Sequence, residues 1–167
     1  MVKKVLILED QRTAREALVS MIEQMAEKVE IFCAGNLNEA FSETLQSTID
    51  VFLIDIILEP GKPGDVSGMV FAEKIREVEK YAFTPIIFIT SLQDLELFSY
   101  RNIHCFGYIE KPFSRAEVAK LVRSALRYET PRETGRVVYF RKEGILLACH
   151  IEEIVCATVS GHTMSLH

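Results

Sequence analysis

The sequence predicts an α/β protein built on a doubly wound sheet of five parallel strands, followed by a C-terminal all-β segment. Three observations carry this expectation. Short apolar runs alternate five times with stretches whose apolar residues recur at helical spacing, the pattern of a parallel sheet covered on both faces. The runs Val51-Phe52-Leu53-Ile54 and Ile86-Ile87-Phe88-Ile89 are apolar throughout, as strands buried on both faces are. After Tyr128 helical spacing stops, and only strand-like runs and turn residues follow.

Taken in order, Lys3 to Leu8 is a strand ending in Glu9-Asp10. A helix over Gln11 to Lys28 follows, with Ala14, Leu18, Met21, Ile22 and Met25 on one stripe. Val29 to Cys33 is the second strand, and Gly35-Asn36 a turn. Asn38 is placed as the cap of a helix over Glu39 to Thr48, with Ala40, Phe41 and Leu45 inward. The central strand ends at Asp55, and a loop rich in Pro and Gly follows it. Ser67-Gly68 opens a third helix on which Val70, Phe71, Ile75 and Val78 keep the helical period. Pro85 starts the fourth strand, Ile86 to Thr90; Asp94 to Tyr100 reads as a short helix, and Cys105 to Ile109 as the fifth strand. Ser114 caps the last helix of the series, burying Val118, Leu121, Val122, Ala125 and Leu126.

The division is then 1-128 for the α/β domain, 129-135 for a polar Pro- and Gly-containing linker, and 136-167 for the β-rich segment. In the last, Val137 to Phe140, Ile145 to Cys149 and Ile154 to Val159 read as strands, with turns at Lys142-Glu143-Gly144 and Ser160-Gly161. The chain stops at Met164-Ser165-Leu166-His167, inside what reads as a further strand, so a fragment of a longer protein is expected.

Composition sets bounds. The 167 residues, 49% hydrophobic and 26% charged, are ordinary for a globular chain. A net charge of -5 argues against a surface dominated by nucleic-acid contacts. No apolar run approaches the roughly 20 residues of a membrane helix, and the start lacks a signal-peptide cleavage pattern. Cys33, Cys105, Cys149 and Cys156 lack CxxC spacing and sit among apolar neighbours, which predicts buried or half-buried thiols in a reducing compartment and no zinc. A cytoplasmic protein is expected, with no membrane partner.

In an open parallel sheet, ligands bind outside the carboxyl ends of the strands. Those ends carry Glu9 and Asp10, Asp55, Thr90 with Ser91, and Lys111. Three carboxylates at one mouth repel each other unless a cation sits among them, and all-oxygen ligation suits Mg²⁺. Such an ion with a lysine is what a phosphoryl group needs, because phosphoryl transfer is mostly positioning and charge neutralisation. Asp55 would be the nucleophile, forming an acyl phosphate, and the Thr90 hydroxyl a donor to it. Taken singly, each residue has a plainer reading: Asp55 as a turn residue, Glu9 and Asp10 as a helix cap, Thr90 as a strand-end hydroxyl, Tyr108 as core. Together with Lys111-Pro112 the set favours chemistry.

The spacing of Glu9-Asp10, Asp55, Thr90 and Lys111-Pro112 resembles the receiver domain of bacterial two-component response regulators, over about Lys3 to Tyr128. The resemblance implies a flavodoxin-like fold of receiver type and a phosphoryl group accepted on Asp55 from a sensor histidine kinase. It implies Mg²⁺ held by Glu9, Asp10, Asp55 and the backbone carbonyl of Ile57, with Lys111 pairing with the phosphoryl group. Pro112 would follow a cis peptide, and Thr90 and Tyr108 would act as the switch pair, favouring a homodimer on phosphorylation. The chain would then be a signalling switch that promotes its own Mg²⁺-dependent phosphorylation and dephosphorylation, not an enzyme. An aspartate-nucleophile phosphatase is the alternative; it needs a further acid and a substrate pocket, and neither is evident.

Receivers usually have a glycine soon after the proline that follows the acceptor. Here Gly61-Lys62-Pro63-Gly64-Asp65-Val66-Ser67 separates Pro60 from Gly68, so the loop beside the site is enlarged. It is read either as a lid or kinase contact, or as a neutral surface insertion. From Val137 onward the chain resembles the start of a LytTR-type DNA-binding domain, through its opening strand, the Lys142-Glu143-Gly144 turn, the Ile151-Glu152-Glu153-Ile154 step and Ser160-Gly161-His162. Arg136, Arg141 and Lys142 are offset by Glu143, Glu152 and Glu153, so DNA binding is expected of a complete output domain rather than of this segment. A protein-binding β module is the alternative output.

Overall fold

Strand β3, Val51–Ile54, runs through the middle of a parallel sheet with all four residues buried. The structure, a computed structural model, describes residues 2–91 and 103–128, and the backbone of four strands between 137 and 166. The other strands of the sheet are β1 (Lys3–Leu8), β2 (Val29–Ala34), β4 (Ile86–Thr90) and β5 (Gly107–Glu110), in the order β2-β1-β3-β4-β5. Pairing is parallel throughout, with Leu6 opposite Phe52, Ile54 opposite Phe88, and Thr90 opposite Glu110. The order reverses between β1 and β3, which opens a crevice at their carboxyl ends.

Alternate strand residues feed two separate cores. Leu6, Leu8, Phe52, Ile54, Ile86 and Phe88 pack on one face under helices α2 (Leu37–Gln46) and α3 (Ser67–Glu77). There the Phe71 ring meets Phe41 edge-on at 4.8 Å, and Phe52 meets Tyr81 at 5.2 Å. Val5, Ile7, Val51, Leu53, Ile87 and Ile89 pack on the other face, under α1 (Arg12–Glu23) and α4 (Arg115–Arg127). A sheet greasy on both sides thus forces the double winding read from its apolar runs. No helix among the described residues is long and apolar enough to cross a membrane.

Several local expectations are corrected. Helix α1 ends at Glu23, short of Lys28, because the chain must turn back to set Val29 beside Lys3. The cap of α2 is Asn36, not Asn38: its side chain accepts from the Glu39 N–H at 3.0 Å, while the Glu39 carboxylate accepts from the Gly35 N–H. Ala40 and Thr44 form the buried stripe, and Leu45 is 85% exposed because it lies about 140° round the helix from Ala40. On α3, Met69 and Ala72 join Phe71 and Ile75 in the core; Val70 faces outward and Val78 lies past the helix end. Strand β5 starts at Gly107 rather than Cys105, after a left-handed residue at His104 (φ 52°). On α4, Val118, Val122 and Ala125 are buried while Leu121 and Leu126 are half-buried. Cys33 is exposed, since β2 is an edge strand, whereas Cys105 is buried.

Residues 131–167 form a second unit, taken here by itself. It contains two antiparallel ladders, β6 (Val137–Lys142) with β7 (Ile145–His150), and β8 (Ala157–Ser160) with β9 (Thr163–Leu166). The helix expected over Asp94 to Tyr100, the whole linker 129-135, the strand residues Ile154 to Cys156 and the side chains of Cys149 and Cys156 lie outside the described residues.

Candidate functional site

Each strand that surrounds the crevice delivers a polar residue within two steps of its last apolar one. The Glu9 N–H still bonds to the Ala34 carbonyl at 3.1 Å, and the Asp55 N–H to the Leu8 carbonyl at 2.8 Å. The Lys111 N–H bonds to the Thr90 carbonyl at 2.9 Å. These ladder bonds fix the Cα positions of Glu9, Asp55 and Lys111 in register, and the short spans leave little freedom above them.

The side chains converge. Lys111 Nζ donates to Glu9 Oε2 at 2.7 Å and to Asp55 Oδ2 at 2.5 Å. Glu9, Asp10 and Asp55 offer carboxylate oxygens all within 4.8 Å of one another. Glu9 and Asp55 are 1% and 5% exposed, so the pair is largely out of water. Burial pushes the Glu9 carboxyl above its usual range; the Lys111 hydrogen bond opposes this and the Asp55 charge adds to it. Burial also opposes the charge on Lys111, but its bonds to Asp55 and Glu9 outweigh that and raise its pKa.

Three carboxylates against one ammonium leave two negative charges in surplus. Asp10 Oδ1 is buried and has no hydrogen-bond partner among the described residues. An all-oxygen donor set with a surplus of two charges and an unpartnered oxygen fits a small divalent cation. The Ile57 N–H donates to Asp55 Oδ1 at 3.2 Å, which orients the Asp55 carboxylate.

The other residues singled out from the sequence lie nearby in the fold. Thr90 is fully buried at the end of β4. Tyr108 is half-buried on β5, packed against the core beneath α2 and α3 and not among the clustered acids. The Lys111–Pro112 peptide is cis. Gly68 stands against the floor of the site: a Cβ on it would lie 1.9 Å from the Asp55 carbonyl oxygen, and its N–H bonds to the Ile56 carbonyl.

Two contributors escaped the sequence reading. Arg15 donates to the backbone carbonyls of Glu9 and Asp10, tying the acidic pair to α1. Asp65 accepts from the Leu58 and Glu59 N–H groups and from the Ser67 hydroxyl. Both act on backbone atoms. The one available signal was the Asp65-Val66-Ser67 order just before a helix, a pattern that commonly folds onto its own backbone.

A parallel α/β sheet with an acid cluster and a lysine at its carboxyl edge defines a receiver-type signalling module. The chain belongs to the response regulator receiver domain family, which matches residues 5–123. Among solved structures it is similar to the chemotaxis response regulator CheY4 of Vibrio cholerae, with 23% identity, TM-score 0.63, and coverage of 75% of this chain and 100% of that one. It is also similar to the signal receiver domain of a modulated diguanylate cyclase from Desulfovibrio desulfuricans G20, at 30% identity and TM-score 0.60, covering 75% and 94% of the two chains. A putative response regulator from Chloroflexus aurantiacus J-10-fl shares the fold at 22% identity and TM-score 0.65, with 77% and 100% covered. The chain therefore carries the receiver domain of a two-component response regulator.

Proposed function

We propose that Asp55 is the phosphoacceptor of this receiver and that a sensor histidine kinase supplies the phosphoryl group. The observation that carries the reading is the bridge from Lys111 Nζ to both Glu9 and Asp55, beside an acid cluster with a surplus of negative charge. An Asp55 oxygen attacks phosphorus, the O–P bond forms, and the N–P bond to the donor histidine breaks, leaving the electron pair on the imidazole nitrogen, which takes a proton.

Glu9, Asp10, Asp55 and the Ile57 carbonyl would hold Mg²⁺, which supplies charge neutralisation for the incoming phosphoryl oxygens. Lys111 stays within reach of the new charge on Asp55 and pairs with it. The Thr90 hydroxyl, at the neighbouring strand end, turns towards the phosphoryl oxygens, and Tyr108 follows into the space beneath it. The face around β4 and β5 then favours a second copy of the chain.

The output would be the segment 136-167, joined through 129-135 to the domain 1-128 and read as the start of a LytTR-type DNA-binding domain. Its two antiparallel ladders support a β module, and the complete output would act on transcription in the cytoplasm. The test of the phosphoacceptor is labelling from a small phosphoryl donor such as acetyl phosphate, with Mg²⁺ and with a chelator. Asp55→Asn should take up no label, and the wild type none in chelator. Label persisting on Asp55→Asn refutes the assignment.

A further inference from the structure

The enlarged loop after β3 is pinned rather than loose. It closes two tight turns, with the Lys62 N–H on the Glu59 carbonyl at 2.9 Å and the Asp65 N–H on the Lys62 carbonyl at 3.2 Å. Asp65, 7% exposed, sits at its far end. A single oxygen of it, Oδ2, accepts from the Leu58 N–H at 2.8 Å, the Glu59 N–H at 3.0 Å and the Ser67 hydroxyl at 2.9 Å. Burial opposes that charge, but the hydrogen bonds from Glu59, Leu58 and Ser67 outweigh it and hold the carboxyl below its usual range.

The consequence falls on the peptide unit joining Ile57 to Leu58. A trans peptide is planar, and its N–H and C=O point in opposite directions. The Lys111–Pro112 bond is the one cis peptide among the described residues, so the Ile57–Leu58 unit is trans. With the Leu58 N–H committed to Asp65, the Ile57 carbonyl must face away from Asp65. No described residue donates a hydrogen bond to that carbonyl oxygen. A full negative charge on the N–H side also polarises the peptide and leaves more negative charge on its oxygen.

We propose that Asp65 is a positioning residue for the cation: through the Leu58 N–H it orients and polarises the Ile57 carbonyl as a metal ligand. The proposal rests on the reading of Ile57 as a ligand given above. It assigns the enlarged loop a task inside the site, since the same seven residues that lengthen it bring Asp65 back to the ligand's own peptide. Groups that hold a ligand in place are commonly worth about 10- to 100-fold in metal affinity.

The test is Mg²⁺ titration by calorimetry on the full chain, well below its melting temperature. Asp65→Ala should weaken binding about 10-fold or more, and Asp65→Asn, which keeps a neutral acceptor, roughly threefold or more. The loss should persist in about 0.5 M KCl, where through-space charge is screened. In the metal-free protein the Leu58 and Glu59 amides should exchange faster in both variants. Ser67→Ala leaves both amide bonds in place and should bind Mg²⁺ as the wild type does. If Asp65→Ala does not fold, Asp65→Asn decides alone. Folded Asp65 variants with wild-type affinity, or a loss that vanishes in high salt, overturn the proposal while Asp10→Ala still abolishes binding. A wild-type chain that binds no Mg²⁺, or Asp10→Ala with full affinity, overturns the ligand reading instead.

Discussion

Lys111 and Asp55 arrive from strand ends separated by β4, yet their side chains meet at 2.5 Å, with Glu9 closing the group at 2.7 Å from the same ammonium. This lysine is the counter-charge of two buried acids. Its removal should be felt first in stability.

Replacing Lys111 by Ala leaves Glu9 and Asp55 as uncompensated neighbours. Removing one partner of a buried pair costs about 3–5 kcal/mol, and the partial exposure of this lysine brings the expectation to about 2–3 kcal/mol. Thermal melting in chelator should show the loss. Mg²⁺ should restore much of it, and more strongly than it stabilises the wild type, because the competing cation is gone. An unchanged melting temperature would mean that the ammonium does not hold the acids together.

Glu9 predicts a pH dependence of opposite sense to the usual carboxylate. Its folded pKa lies above 4.5, first because of burial and then because of Asp55. A group that binds its proton more tightly when folded contributes stability below its unfolded pKa, and that contribution is lost as pH rises through the folded value. Glu9→Gln, which imitates the protonated form, should therefore make the metal-free protein more stable at neutral pH. The gain should shrink towards pH 4.5. Denaturant unfolding at two pH values checks both the sign and the trend, and Mg²⁺ affinity should fall in the same variant.

The fold and the acid-lysine cluster were legible because strand periodicity places residues at known ends: Glu9 and Asp55 follow directly on apolar runs, and Lys111 stands one residue past Glu110 at the end of β5. What was not legible acts through the backbone. Asp65 and Arg15 bond to main-chain groups of Leu58, Glu59, Glu9 and Asp10, and such bonds leave no mark on the partner's residue type. Two asparagines, Asn36 and Asn38, compete in the sequence for the cap of α2. Only Asn36 has a glutamate three residues on, and Glu39 bonds back to the Gly35 N–H. Leu45 reads as inward from its apolar character, but the helix that begins at Leu37 turns Thr44 into that place.

Gly68 and Gly107 both lack room for a side chain, but the obstacles differ. A Cβ on Gly68 meets the Asp55 carbonyl oxygen at 1.9 Å, and that backbone is held by β1. Gly68→Ala should cost about 3 kcal/mol or more, at the upper end of overpacking effects, and should displace Asp55. The expected readouts are a large drop in denaturant midpoint and a loss of phosphoryl uptake.

At Gly107 the obstacle is the far end of the half-buried Leu121 side chain, at 2.6 Å. Leu121 can swing to another rotamer. Gly107→Ala should cost only about 1 kcal/mol, with phosphoryl uptake retained. Equal losses at the two glycines, measured in the same denaturant series, would remove the distinction between a backbone and a side-chain obstacle.

The last prediction concerns the start of α4, which carries Val118, Val122 and Ala125 into the core beside β5. Ser114 and Glu117 form a reciprocal cap: the Ser114 hydroxyl accepts from the Glu117 N–H at 3.3 Å, and the Glu117 carboxylate accepts from the Ser114 N–H at 3.0 Å. The same carboxylate also accepts a hydrogen bond from the Ser114 hydroxyl at 2.7 Å. Ser114→Ala removes two of these bonds and leaves the Glu117 N–H to water, for a loss of about 1 kcal/mol. The two Ser114 bonds also hold the Glu117 carboxyl below its usual range, so the cap's contribution is present above that range and lost as pH falls through the folded value. The melting difference between wild type and Ser114→Ala should therefore narrow in acid. Because the two residues act as one unit, the double variant Ser114→Ala/Glu117→Ala should lose less than the sum of the singles. Strict additivity in that cycle would show the two bonds to be independent.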